Sequence, residues 1–145
     1  MIEALSTPHN RSRTFILLAV CGVLAIAAAA IGIDDNPPGL LLAFLSASAF
    51  VLAFVHPWRA SKQFLHLIYA SLLGFILFAV LHNVFDFVAS KSGSSSLVPE
   101  LLDITSTAFF LVAVMLSPPA LLVGVIGAAV MYRRERHSQP GVRDA

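Results

Sequence analysis

Four stretches of this chain are each long enough and apolar enough to cross a bilayer, and they limit its fold more than any other feature. A hydrocarbon core of about 30 Å takes roughly 20 helical residues. The first stretch runs from Thr14 to Ile33 and contains no charge. The second runs from about Pro37 to Val55, the third from about Gln63 to Ala89, and the fourth from about Thr105 to Tyr132. Strand barrels require alternating polarity, which these stretches lack. Helices are the other way to satisfy every backbone group in lipid. The expected fold is therefore all-α: a polytopic transmembrane four-helix bundle with antiparallel neighbours. Composition agrees, since 58% of residues are hydrophobic and 12% charged. Soluble domains carry about 25% charged residues.

The connections punctuate the spans. Asp34-Asp35-Asn36-Pro37-Pro38-Gly39 reads as a tight turn. In it Asn36 caps the second helix and Pro37 takes its first position. His56-Pro57-Trp58-Arg59 ends that helix, with Trp58 at interface depth. Ser90 to Ser96 reads as a flexible Ser/Gly loop. Val98-Pro99-Glu100 restarts a helix, as a short interfacial turn before the fourth span. Residues 1–13 and 133–145 are expected as polar tails flanking a transmembrane domain at 14–132, the second of them disordered.

Basic residues orient the chain. With a cytoplasmic N-terminus, Arg11, Arg13, Arg59, Lys62, Arg133, Arg134, Arg136 and Arg143 lie inside and Lys91 alone lies outside. The inverted topology reverses that eight-to-one split, against the positive-inside rule. Both termini are thus expected in the cytoplasm. The same rule opposes splitting the fourth span at Ser117-Pro118-Pro119, which would export the Arg133, Arg134, Arg136 cluster. That split would also leave about 13 apolar residues after the break, too few to span. A signal peptide is the rival reading of the first span, with Ala25-Ile26-Ala27 as its cleavage site. The apolar run of about 20 residues exceeds the roughly 7–15 of a signal core. Val20 before Cys21 is unlike a lipoprotein signal.

Polar groups within the spans are few. His82, Asn83 and Asp86 lie near the outer end of the third. His82 and Asp86 are four apart and share a helix face, which Ser71, Phe75 and Phe78 extend inward. Such groups cost a few kcal/mol at the membrane centre and less near the interface, and they face a bundle interior or a wet cavity. One reading is a proton relay or cation site, completed by Asp34, Asp35, Glu100 or Asp103. The simpler reading pairs His82 with Asp86 at a solvated helix end. In the fourth span, Pro118 and Pro119 remove two backbone donors, so the carbonyls of Val114 and Met115 lose their partners. Freed carbonyls can bind an ion or substrate. They can also be satisfied by Ser117, Ser46 or a water while the helix kinks.

Small residues recur at a spacing of four: Ala25 and Ala29, Ala28 and Gly32, Ala43 and Ala47, Ala70 and Gly74, Gly124 and Ala128. Such pairs let helices approach closely. His56 and His66 lie at similar depth, where axial haem ligands come from, but a histidine is ordinary beside Arg59 and Lys62. No cofactor or metal is expected. A single cysteine, Cys21, rules out an internal disulfide or Cys-x-x-Cys site. No nucleotide-binding glycine loop, Gly-x-Ser-x-Gly elbow or His-Glu-x-x-His helix is present. The uncharged first span is unlike small exporters built around a membrane glutamate.

Several segments resemble a type of small four-span bacterial inner-membrane protein. They are Asp35-Asn36-Pro37-Pro38-Gly39, Leu52 to Arg59, Phe78 to Phe85 with its Leu81-His82-Asn83, and Pro118-Pro119 followed by Leu121-Leu122-Val123-Gly124. The resemblance touches every span but the first. It implies a bacterial inner-membrane location and no activity.

Three function classes follow. The leading one is a non-catalytic structural or accessory membrane component, because the intramembrane polar inventory is thin. Its partners are the lipid bilayer and either further copies of itself or a larger membrane complex; the net charge of +1 does not point to nucleic acid. The alternative is a small oligomeric permease or ion pathway using the His82/Asp86 face and the Pro118-Pro119 kink. A membrane enzyme is the third, without a motif to support it.

Overall fold

The computed structural model describes residues 5–33, 36–91 and 97–137. Five α-helices form four spans: α1 (Pro8–Ile31), α2 (Pro37–Val55), α3 (Ser61–Lys91), α4 (Leu97–Leu111) and α5 (Ser117–His137), with a π turn over Val112–Leu116 joining the last two. All four spans are long and apolar enough to cross a membrane. Asp34, Asp35, the loop at 92–96 and the tail from 138 lie outside the described residues.

Several boundaries differ from the sequence expectation. α1 starts at Pro8, because Thr7 accepts the Asn10 N–H at 3.2 Å and Pro8 preforms the first turn. Residues 8–13 are therefore helical and continuous with the first span. α4 runs unbroken from Leu97 into the fourth span, so Val98-Pro99-Glu100 is the opening of that helix and not a separate turn. α5 continues to His137, which corrects the expected disorder of 133–137.

The α1–α2 hairpin is closed by glycine. Gly32 takes φ +90° and its N–H bonds the Ala28 carbonyl. Asn36 does not cap α2 through its side chain as expected. It turns back, and Nδ2 donates to the Ile31 carbonyl at 2.9 Å. Gly39, on the first turn of α2, lies directly against the Gly32 backbone: a Cβ there would fall 1.7 Å from the Gly32 carbonyl oxygen.

At the far end of α2, Pro57 has no N–H for the Ala53 carbonyl. Thr14 of α1, almost fully buried, donates its hydroxyl there at 3.1 Å, and His56 Nδ1 donates at 3.1 Å. A missing helix bond thus becomes a bond between helices. The next helix is capped from afar. Glu135 on α5 accepts the Ser61 N–H and the Ser61 hydroxyl, each at 2.9 Å.

The four spans form an open row, in the order first, second, fourth, third. α1 touches α2 alone, α2 meets α5 and the π turn, and α3 packs on both α4 and α5. Among the described residues, α1 reaches neither α3 nor α5, and α2 does not reach α4. The second and fourth spans run in the same direction, so their contact is parallel, a correction to uniformly antiparallel neighbours. The core sits toward the basic end. There Val51 and Val55 of α2, Phe64 of α3, and Ala120 and Val123 of α5 pack together, with Trp58 edge-on to Phe64 at 5.3 Å. Phe64 lies over Gly127, where a Cβ would meet its ring at 2.2 Å. Gly124 lets α3 approach closely, with the Ile68 side chain 2.9 Å from its would-be Cβ.

Candidate functional site

The polar residues of α3 part company in the structure. His82 turns toward α4 and meets Ser106, which is 2% exposed. Its Nδ1 lies 2.8 Å from Ser106 Oγ and 3.1 Å from the Ser106 carbonyl, and Oγ lies 3.3 Å from the His82 carbonyl. One arrangement of protons satisfies all three contacts. Nδ1–H donates to Ser106, and the serine hydroxyl donates to the His82 carbonyl. The opposite tautomer would set Nδ1 and the Ser106 carbonyl face to face as two acceptors. Nδ1 therefore carries a proton, and the ring is held in place by the neighbouring helix.

Aromatic rings enclose this pair. The Phe110 ring lies tilted at 5.2 Å from that of His82, and Phe109 meets Phe78 at 5.7 Å and Phe85 at 5.2 Å. Asn83 is exposed and donates Nδ2 to the Ala79 carbonyl on its own helix at 2.7 Å. Asp86 is exposed as well. The expected His82–Asp86 pairing is replaced by His82–Ser106. The sequence reading missed Ser106 because helical periodicity relates residues within one span, whereas this bond joins two.

The hydroxyls nearer the middle are each committed to a carbonyl. Ser71 donates to Leu67 at 2.7 Å, Ser117 to Val112 at 3.1 Å, and Ser46 to Cys21 at 2.9 Å. With the Ser46 proton so placed, the Cys21 thiol, 3.3 Å away, donates to Ser46 Oγ. Ser71 and His82 are 11 residues apart, roughly 16 Å along α3. The Phe78–Phe109 contact lies on the seam between them. These groups do not converge on one polar channel.

Pro118 and Pro119 act differently from a simple kink. The helix shifts register before them, and the Ser117 N–H bonds Val112, five residues back. Ser117 Oγ bonds the same carbonyl, so Ser117 serves Val112 and not Val114 or Met115. The wider π turn accommodates the proline rings, which would otherwise strike the preceding turn. Pro119 is fully buried. Beside this turn, a crevice of about 280 Å³ separates it from the first hairpin, lined mostly by Cys21, Ala25, Ala28, Ser46, Ala47 and Leu116.

The two histidines near the basic end also differ. His56 is half-buried and tied to Ala53, whereas His66 is exposed. No group of three or more metal-binding side chains gathers among the described residues. Fold and polar pairing define a class: a four-span helical membrane protein whose intramembrane serine hydroxyls are bonded to backbone carbonyls, some within a helix and some across two. No protein-family model, curated protein or solved structure matches the chain.

Proposed function

We propose that this chain is a non-catalytic accessory component of a bacterial inner membrane, with the basic end of its helices in the cytoplasm. The observation that carries this reading is the pairing of its polar groups. Ser46, Ser71, Ser106 and Ser117 each donate to a carbonyl, so none of these four hydroxyls keeps a free proton to pass along a proton path. The open row supports the same reading. α1 is held by α2 alone and α4 by α3 and the π turn, so large apolar faces remain for lipid, for further copies of the chain, or for a larger membrane complex. The orientation rests on the eight-to-one distribution of basic residues.

The permease reading needs Ser46, Ser71, His82, Asp86 and Ser117 to share a path, and the exposed position of Asp86 does not favour it. Affinity capture of the full chain from native membranes in mild detergent tests the proposal. A stoichiometric membrane partner or a defined homo-oligomer is expected. A lone monomer would contradict it.

A further inference from the structure

The basic end of the molecule holds a polar cleft of about 430 Å³ lined by Ser6, Asn10, Pro57, Arg59, Ala60 and Gln63. It lies where the start of α1 meets the connection from α2 to α3. Its chemistry is one-sided. Gln63 Oε1 already accepts the Arg59 N–H at 3.1 Å and the Ala60 N–H at 3.3 Å. What Gln63 has left to offer is its amide NH₂, a double donor. Arg59 is exposed and adds a guanidinium fork. Arg13 follows Asn10 by three residues on the same face of α1, and Lys62 adjoins Gln63. Glu135 is the carboxylate described on this end, and Ser61 engages both of its oxygens.

A cleft with a cation, a surplus amide donor and no carboxylate among its described lining residues fits an anion. Its depth says which kind. One turn further along α1, at Thr14, the uncharged apolar stretch begins. The cleft therefore sits at headgroup level with hydrocarbon immediately beyond it. A phosphate carrying acyl chains gains both the guanidinium contact and the apolar burial, whereas a free phosphate gains only the first. We propose that this cleft binds the phosphate of an anionic phospholipid, held by Arg59 and the Gln63 amide. Arginine suits the role because its planar fork matches phosphate oxygens bidentately.

The test uses the full chain in phosphatidylcholine vesicles with trace spin-labelled phosphatidylglycerol or spin-labelled phosphatidylcholine. Electron paramagnetic resonance reads the protein-immobilised fraction of each. Wild-type protein is expected to retain phosphatidylglycerol preferentially. Arg59→Gln should lower that preference about fivefold, the scale of one basic residue near an anionic surface. Arg59→Lys should recover most of it. Arg133→Gln removes the same charge from the same end outside the cleft and should leave the preference within about twofold. Equal losses in Arg59→Gln and Arg133→Gln would overturn the proposal in favour of a diffuse field. Absence of any preference would overturn it too, as would displacement of the lipid by millimolar inorganic phosphate, which would mark a free-anion site.

Discussion

Replacing Gly39 by alanine adds one methyl group where two backbones already touch. The new Cβ would lie 1.7 Å from the Gly32 carbonyl oxygen and 2.8 Å from its carbon. Close C···O contacts are about 3.3 Å, so the hairpin must part by roughly 1.6 Å. The obstacle is backbone, which cannot rotate aside as a side chain can. Overpacking of this kind costs about 1–3 kcal/mol, and a clash with backbone belongs at the upper end. Alanine returns roughly 0.5–1 kcal/mol through its better helix propensity. The net expectation is a loss of about 2 kcal/mol. Because α1 is held by α2 alone, the loss should appear as detachment of the first span. Gly22→Ala is the matched control: the same methyl on the same hairpin, with nothing within 4 Å of it. Equilibrium unfolding in mixed micelles, with a fluorophore on α1, reads both variants. Gly39→Ala should fall below wild type, and Gly22→Ala should equal or exceed it. If both shift alike, the hairpin is not closed by this glycine contact and the reasoning fails.

Other consequences follow from the same geometry. Gly127→Ala would push a methyl into the Phe64 ring, so it should destabilise by about 1–3 kcal/mol. A Phe64→Leu background should relieve most of that loss, and additive unfolding energies would refute the contact. Ser106→Ala removes the hydroxyl that pairs with His82, leaving the backbone carbonyl, and should cost about 0.6 kcal/mol, at most about 1.7, as for other bonds between membrane helices. Nitrogen-15 shifts of the wild-type imidazole should show a proton on Nδ1, and a proton on Nε2 alone would contradict the assigned network. Glu135 lies beyond Tyr132, where the apolar stretch ends. The Ser61 N–H, then the Ser61 hydroxyl, and the nearby Lys62 charge hold its carboxyl below the usual glutamate range. A lowered pKa means the cap is fully present above the ordinary glutamate value and is lost as pH falls through the lowered one. The Ser61 amide resonance should therefore titrate below a free glutamate's midpoint, and a midpoint at or above that value would exclude the cap.

Span number and approximate limits were legible because about 20 apolar residues in a row have few other uses. Helix order was not. In lipid, a face that meets protein and a face that meets acyl chains are equally apolar, so hydrophobic periodicity no longer marks the interior. What marks it here is size, at Gly39, Gly124 and Gly127. The spacing of four found Gly124 but not Gly127, whose neighbour is an aromatic ring and not another small residue. The double proline announced a disturbed helix. That the disturbance is a π turn upstream depends on how the backbone relaxes, which no residue pattern displays. His82 stood out as a polar group in an apolar span. Its partner was hidden because Ser106, one hydroxyl among the neighbouring Thr105 and Thr107, becomes special only when α4 is laid against α3.

Ser46, Ser71, Ser106 and Ser117 are each bonded to a carbonyl, and with His82 they form no continuous polar pathway among the described residues. Flux through proteoliposomes containing the full chain, with a pH-sensitive dye inside and an imposed potential, tests this central claim most directly. Proton and alkali-cation entry should match protein-free vesicles, for wild type and for His82→Ala alike. Entry well above that background in wild type, abolished by His82→Ala or Asp86→Asn, would contradict the account.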